Sequence, residues 1–252
     1  MKFFYVFSAR KLKKLSVIVI AALFTAGILY INGQELMVFS TDKGPQVFYK
    51  GDIKDKKVAL TFNISWGEKQ VQPILDILKE KNAKATFFLS ATWAERYPEL
   101  TKQISEAGHE IGSHGYAYDN YTSWDDEKIR RDMLRSKQIL SELTNKTPTL
   151  IRPPAGQFDK RVLNIADKLD LSIIHWSINS RDWQNPGVDA IVDNVMSQLN
   201  EGDIIMLHAS DSALQTDKAL PTLLDQLKNK GYQFAHVTEL IFHSQAKSEQ
   251  IN

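Results

Sequence analysis

The sequence predicts an α/β fold in which strands alternate with crossover helices in one parallel layer or barrel. Three observations predict it. Short β-rich apolar runs recur along the chain, amphipathic stretches of helical period separate them, and no repeat or low-complexity tract interrupts the alternation. The 252 residues suit one domain with a buried core. Strands are predicted at 58–63, 85–89, 110–113, 149–152, 172–177, 203–207 and 233–237. The helical runs at 71–80, 125–143, 160–169, 188–199 and 218–228 each place apolar residues three and four apart, as Val71, Ile74, Leu75 and Leu78 do in the first.

The ends of the chain read differently. Lys2, Arg10, Lys11, Lys13 and Lys14 precede an uncharged, mostly apolar run at 15–31, near the lower length limit for a membrane-crossing helix. Residues 1–32 are therefore expected to be a cytoplasmic basic flank and a signal-anchor helix that delivers the rest to the extracytoplasmic side; a cleaved, secreted form is the alternative. Residues 33–56 read as a linker with a hairpin signal, the apolar stretches 37–39 and 47–49 around Asp42-Lys43-Gly44-Pro45. The domain is expected at 57–243, and 244–252 read as a polar, frayed tail.

Composition excludes several functions. Thirty-one basic residues balance 30 acidic ones, so the net charge of +1 leaves no electrostatic footprint of a nucleic-acid binder. With 43% hydrophobic and 24% charged residues the chain is neither disordered nor a multi-span membrane protein. Cysteine is absent, which removes disulfides, thiolate metal sites and cysteine nucleophiles. A serine hydrolase also fails, because Ile111-Gly112-Ser113-His114-Gly115 lacks the first glycine of a nucleophile elbow.

In a parallel barrel, chemistry sits where the chain leaves the C-terminal ends of the strands. The predicted exits are rich in polar side chains and turn residues. They read Thr61-Phe62-Asn63-Ile64-Ser65-Trp66-Gly67, Gly112-Ser113-His114-Gly115-Tyr116-Ala117-Tyr118, Arg152-Pro153-Pro154-Ala155-Gly156, Asn179-Ser180-Arg181-Asp182-Trp183 and Leu207-His208-Ala209-Ser210. Asn63, His114, Arg152, Asp182 and His208 are expected to converge on one mouth. His109, His175, His236 and His243 have no such setting and read as structural or exposed; Trp66, Trp93, Trp124 and Trp176 read as core or groove-edge residues.

These five ordered motifs, spread over about residues 57 to 240, resemble the polysaccharide deacetylase family, also called the NodB homology domain or carbohydrate esterase family four. The opening motif and the anchor resemble in particular its PdaB-type sporulation members. The resemblance implies a distorted (β/α)7 barrel and zinc-dependent hydrolysis of an acetamide on an N-acetylated cell-wall glycan, peptidoglycan or spore cortex. It further implies that His208 acts as general acid, that Asp182 tunes it, that Arg152 orients an aspartate base, and that Trp183 and Leu207 line the groove. The metal would be held by an aspartate at position 64 and by histidines at 114 and 118.

The sequence departs from that pattern at the base and the metal. Asn63 stands at the base position, Ile64 at the acidic ligand and Tyr118 at the second histidine. An amide cannot accept a proton near neutral pH, so a contribution of about a hundred to ten thousand fold is lost. A phenol with an ordinary pKa of about 10 is a poor zinc ligand. His114 alone falls short of three protein ligands, so zinc or another divalent metal is expected to bind weakly or not at all. Glu68, Asp119 and Asp126 are the nearest carboxylates that could substitute. Two functions follow: a glycan deacetylase with a repaired metal site, or a catalytically silent member that binds wall glycan or a partner protein.

Overall fold

The computed structural model describes residues 45–242 and 247–249. The predicted anchor and the first half of the predicted hairpin lie outside the described residues. The strands are β1 (Val47–Lys50), β2 (Lys57–Ile64), β3 (Thr86–Leu89), β4 (Glu110–Ser113), β5 (Leu150–Ile151), β6 (Ser172–Ile174), β7 (Ile178–Asn179), β8 (Ile204–His208), β9 (Gln233–Phe234) and β10 (Lys247–Glu249). The helices are α1 (Val71–Glu80), α2 (Ala91–Arg96), α3 (Pro98–Glu106), α4 (Asp126–Thr144), α5 (Lys160–Lys168), α6 (Val188–Met196), α7 (Thr216–Asn229) and α8 (Val237–Phe242). Among them no helix is long and apolar enough to cross a membrane.

One curled sheet runs β10-β1-β6-β5-β4-β3-β2-β8-β7, with β9 paired to β2. Every pairing between these strands is parallel except that of β10 with β1. The fold is α/β as expected, and in place of the expected distorted (β/α)7 barrel the sheet forms a curled, open half-barrel. The reason lies in the segment read as linker. Closure would pair β7 with β6, from which only residues 175–177 separate it, but β1 already occupies that edge of β6. β1 then reaches toward β8 through an isolated bridge of Lys50 with Asp203 and a hydrogen bond from Gly51 N to Gly202 O at 2.8 Å. Lys247–Glu249, within the predicted tail, adds β10 to the other side of β1.

Strand alternation sorts the side chains into two layers. Leu60, Phe62, Ile64, Ile205 and Leu207 pack outward against Ile74 and Leu78 of α1, Ile191 and Val195 of α6 and Leu220 and Leu224 of α7. A second cluster joins Val47, Ile151 and Ile173 to Ile129 and Met133 of α4 and Val162 and Leu163 of α5. The helices start on side-chain caps where the sequence provides them. Asp125 accepts the Lys128 N–H at 2.8 Å, and Asp159 accepts those of Arg161 and Val162.

Candidate active site

Because the strands run parallel, their C-terminal ends share one edge, and the five predicted exits meet there. The register sets Asn63 of β2 beside His208 of β8, and Thr61 beside Met206. Side chains at these paired positions point to the same, inner face. On the other side of β2, Ser113 of β4 pairs with Ile151 of β5, so His114 and Arg152 leave the sheet together.

Arg152 is the hub. It is fully buried, and its Nη1 donates to Asn63 Oδ1 and Thr61 Oγ1, both at 2.9 Å. Nη2 donates to His175 O at 2.8 Å and Nε to Ile174 O at 3.2 Å, while the guanidinium lies 4.2 Å from the centre of the Phe88 ring. All these partners are neutral. Burial pushes the Arg152 pKa down to about 9, which still leaves a cation at neutral pH. The Arg152 carbonyl meets His114 Nδ1 at 2.5 Å; a carbonyl only accepts, so Nδ1 carries the proton and Nε2 presents a lone pair. That Nε2 is buried without a partner. Burial, and then the Arg152 charge against a partial offset from its carbonyl, push the His114 pKa down to about 3, so the ring stays neutral.

The fourth and fifth motifs form an intact pair. Asp182 is fully buried, and its Oδ1 receives His208 Nδ1 at 2.7 Å and Trp183 N at 2.9 Å. Its Oδ2 receives His208 N at 2.6 Å and Thr216 Oγ1 at 2.7 Å. Four donors hold the carboxylate, so the His208 ring is fixed with Nδ1 on Asp182 and Nε2 as the nitrogen left for the cavity.

A cavity of about 420 Å³ gathers Asn63, His114, Tyr118, Trp183 and His208, with Arg152 and Asp182 beneath its polar wall. Leu207 is a correction. It is buried in the outward core, and Met206 lines the cavity instead, because the neighbour of an inward-facing His208 must face the other way. Tyr118 sits on the cavity rim with a left-handed backbone, φ +52°, its ring centre 4.9 Å from that of His114. Its loop is held by Asp132 of α4, which accepts the N–H groups of Tyr116 at 2.7 Å and Ala117 at 2.9 Å and the Tyr121 hydroxyl at 2.6 Å. Gly115 has φ +77°, and a Cβ there would lie 2.5 Å from that hydroxyl, so the turn needs glycine.

Asn179, to which no motif assigned a cavity role, and Trp176, expected only at the core or groove edge, both line the wall. Their signal was weak because Trp176 follows β6 while Asn179 ends a strand of two residues. The substitute carboxylates do not enter. Asp119 accepts the Asn120 N–H, Asp126 pairs with Arg161 at 3.1 Å, and Glu68 is exposed away from the lining.

The donor set does not fit a catalytic zinc. Asn63 spends its carbonyl oxygen on Arg152, Ile64 is buried in the core and, among the described residues, no carboxylate lines the cavity. Among the described residues no group of three or more histidine, cysteine, aspartate or glutamate side chains could hold a metal ion.

A curled parallel half-barrel with an ordered set of polar strand exits, an Asp–His pair and a buried arginine is the architecture of a polysaccharide deacetylase, and the chain belongs to that family. The family model described as polysaccharide deacetylase matches residues 50–174. A peptidoglycan-N-acetylglucosamine deacetylase of Bacillus cereus is 36% identical over 190 residues, which are 74% of this chain and 89% of that protein. The uncharacterized protein YlxY of Bacillus subtilis is 32% identical over 197 residues; these cover 78% of this chain but only 61% of that protein. Among solved structures, BA3943 of Bacillus anthracis, named as a CE4 family pseudoenzyme, has a TM-score of 0.74 and 33% identity over 78% of this chain and 69% of that one. A mutant of BA3943 is named as having restored enzymatic activity. These names are those of a peptidoglycan deacetylase, an uncharacterized protein and a pseudoenzyme, and not of the PdaB type in particular.

Proposed function

We propose that this family member binds the acetamido group of an N-acetylated cell-wall glycan in the cavity and holds it without hydrolysing it. One observation carries the reading: Arg152 takes the Asn63 carbonyl oxygen and so leaves the Nδ2 donor unengaged on a residue that lines the cavity, which His114, with its partnerless acceptor Nε2, lines as well. An acetamide presents one acceptor and one donor, the complement of that pair. Turnover asks for a base and for a metal or equivalent electrophile, and no carboxylate among the described residues lines the cavity. His208 on Asp182 then serves as a positioned hydrogen-bond partner for the sugar rather than as a general acid, and Trp183 offers its half-exposed ring for stacking.

Peptidoglycan is the favoured glycan because the relatives of Bacillus cereus are named as peptidoglycan deacetylases. The basic flank and apolar run of residues 1–32 support delivery to the outer face of the membrane, where such a glycan lies. The opening motif of the PdaB-type members favours spore cortex as its source.

The test is acetate release from N-acetylated chitooligosaccharides and peptidoglycan by the full chain, beside the double change Asn63→Asp and Tyr118→His. The parent should bind glycan equally well with and without a chelator, release no acetate, and carry well under one zinc per chain. Gain of activity in the double variant alone supports a silenced site. Equal activity in both, or stoichiometric zinc in the parent, overturns the proposal.

A further inference from the structure

A second cavity of about 380 Å³ lies against the outer side of the loop that carries Tyr118. Tyr116 and Ala117 line it, while Tyr118 lines the acetamide cavity, so one short loop is the wall between the two. Its other side is the exposed face of α4, where Lys128, Arg131 and Arg135 recur at a spacing that stacks them on one face of the helix. Two of these cations are held in place by aromatic rings. Lys128 Nζ sits 3.8 Å from the Trp124 ring centre, and the Arg135 guanidinium 3.7 Å from that of Tyr116.

The neighbouring carboxylates are already engaged. Asp132 beneath the groove is buried under three donors, Glu127 forms a two-pronged pair with Arg130 at 2.8 and 2.9 Å, Asp125 caps α4 and Asp126 pairs with Arg161. Arg131 lies 3.9 Å from Glu127, a distant share of an acid that Arg130 holds closely. Three cations over one spent carboxylate leave the groove positive, with flat aromatic walls.

We propose that this groove holds carboxylates of the peptide branches on the same wall glycan whose acetamido group enters the neighbouring cavity. The proposal rests on the reading of that cavity as glycan-binding. The sugars of the glycan are largely neutral, whereas its peptide branches carry free carboxylates, the partner that guanidinium forks match in shape and charge. Continuity across the Tyr116–Tyr118 loop places the two groups on one ligand. A strand crossing that loop would set its acetamide on Asn63 and His114 and its branch on Arg135 and Lys128.

The test measures binding of three probes to the full chain: neutral chitotetraose, a peptide-bearing muropeptide, and the same muropeptide with its carboxylates amidated. The free acid should bind about tenfold more tightly than the amidated form at low salt, and the advantage should shrink as ionic strength rises. The double variant Lys128→Gln and Arg135→Gln should lose that advantage and keep the parent affinity for chitotetraose, which also reports that it is folded; Arg135→Lys should restore part of the gain. Equal binding of the acid and amidated forms, or an advantage that survives the double variant, overturns the proposal. So does a polyglycerol phosphate that competes as well as the muropeptide, since the groove would then serve a phosphodiester polymer. If chitotetraose fails to bind, the acetamide reading falls, and the acid and amidated pair still decides the groove.

Discussion

Asn63→Asp puts a carboxylate in place of one of the four neutral acceptors around the buried Arg152 charge. The bond from Nη1 to Oδ1, 2.9 Å and already made by a charged donor in the parent, becomes an ion pair with both partners charged. A hydrogen bond with one charged partner nets about 1.5–3 kcal/mol, and charging the second partner moves the bond toward the upper end, a gain of about 1 kcal/mol. Against it stands the loss of hydration of a carboxylate at a position only 6% exposed, a cost of several kcal/mol. Attraction to the guanidinium at about 4 Å returns about 4 kcal/mol at an effective dielectric near 20, so these two largely cancel. The variant should therefore be more stable than the parent by about 1 kcal/mol at neutral pH, or about 2–4 °C in Tm. The pH dependence has a definite sign. Arg152 holds the new carboxyl below its unfolded value of about 3.9, so the gain is present above that pH and disappears as pH falls through the folded value. Urea unfolding of both proteins near pH 7 and near pH 3 reads the effect. A variant less stable than the parent at neutral pH, or a difference unchanged by acid, would refute the account of Arg152 as an uncompensated charge. Glycan affinity should move the other way, because the carboxylate cannot supply the donor that Asn63 Nδ2 supplies.

His109 lies just before β4, at the end of the sheet away from the cavity, where burial first and then Lys84 and His236 push its pKa down to about 4. The unfolded chain takes up its proton near pH 6.5 while the folded one stays neutral, so acid erodes stability from 6.5 down to 4 by at most about 1.4 kcal/mol per pH unit. His109→Gln should lose about 2 kcal/mol less than the parent between pH 7 and 5 in urea unfolding; equal losses would show that the ring is not a buried neutral one. Leu207→Ala should cost about 2–5 kcal/mol of stability and leave glycan affinity unchanged, whereas a weakened affinity at intact stability would return Leu207 to the groove wall.

The site was legible because its chemistry sits at the ends of strands that announce themselves. Val58, Leu60 and Phe62 mark β2 by composition, and the polar residue that ends such a run has few places to go except the mouth. The contacts among Asn63, Arg152 and His114 follow from that placement. What stayed hidden depends on pairing across long separations. Nothing local in Val47–Lys50 shows that it takes the edge of β6, some 125 residues later, and so the open sheet could not be read. Leu207 was placed in the groove by the family resemblance, whereas alternation along β8 puts the neighbour of an inward-facing His208 on the outer face and Met206 on the inner one. α2 escaped because it is short, and α3, as long as α5, because it opens on Pro98, which reads as punctuation before it reads as a helix start.

The position of β1 has a practical side. A fragment cut to begin at Lys57 would leave the backbone N–H and C=O groups along one flank of β6 bare, a ready template for a strand from another molecule. Such a fragment should self-associate, and light scattering would register it. Residues upstream of the family motifs thus act as a guard against aggregation: they keep a sheet that never closes on itself from closing on its neighbours.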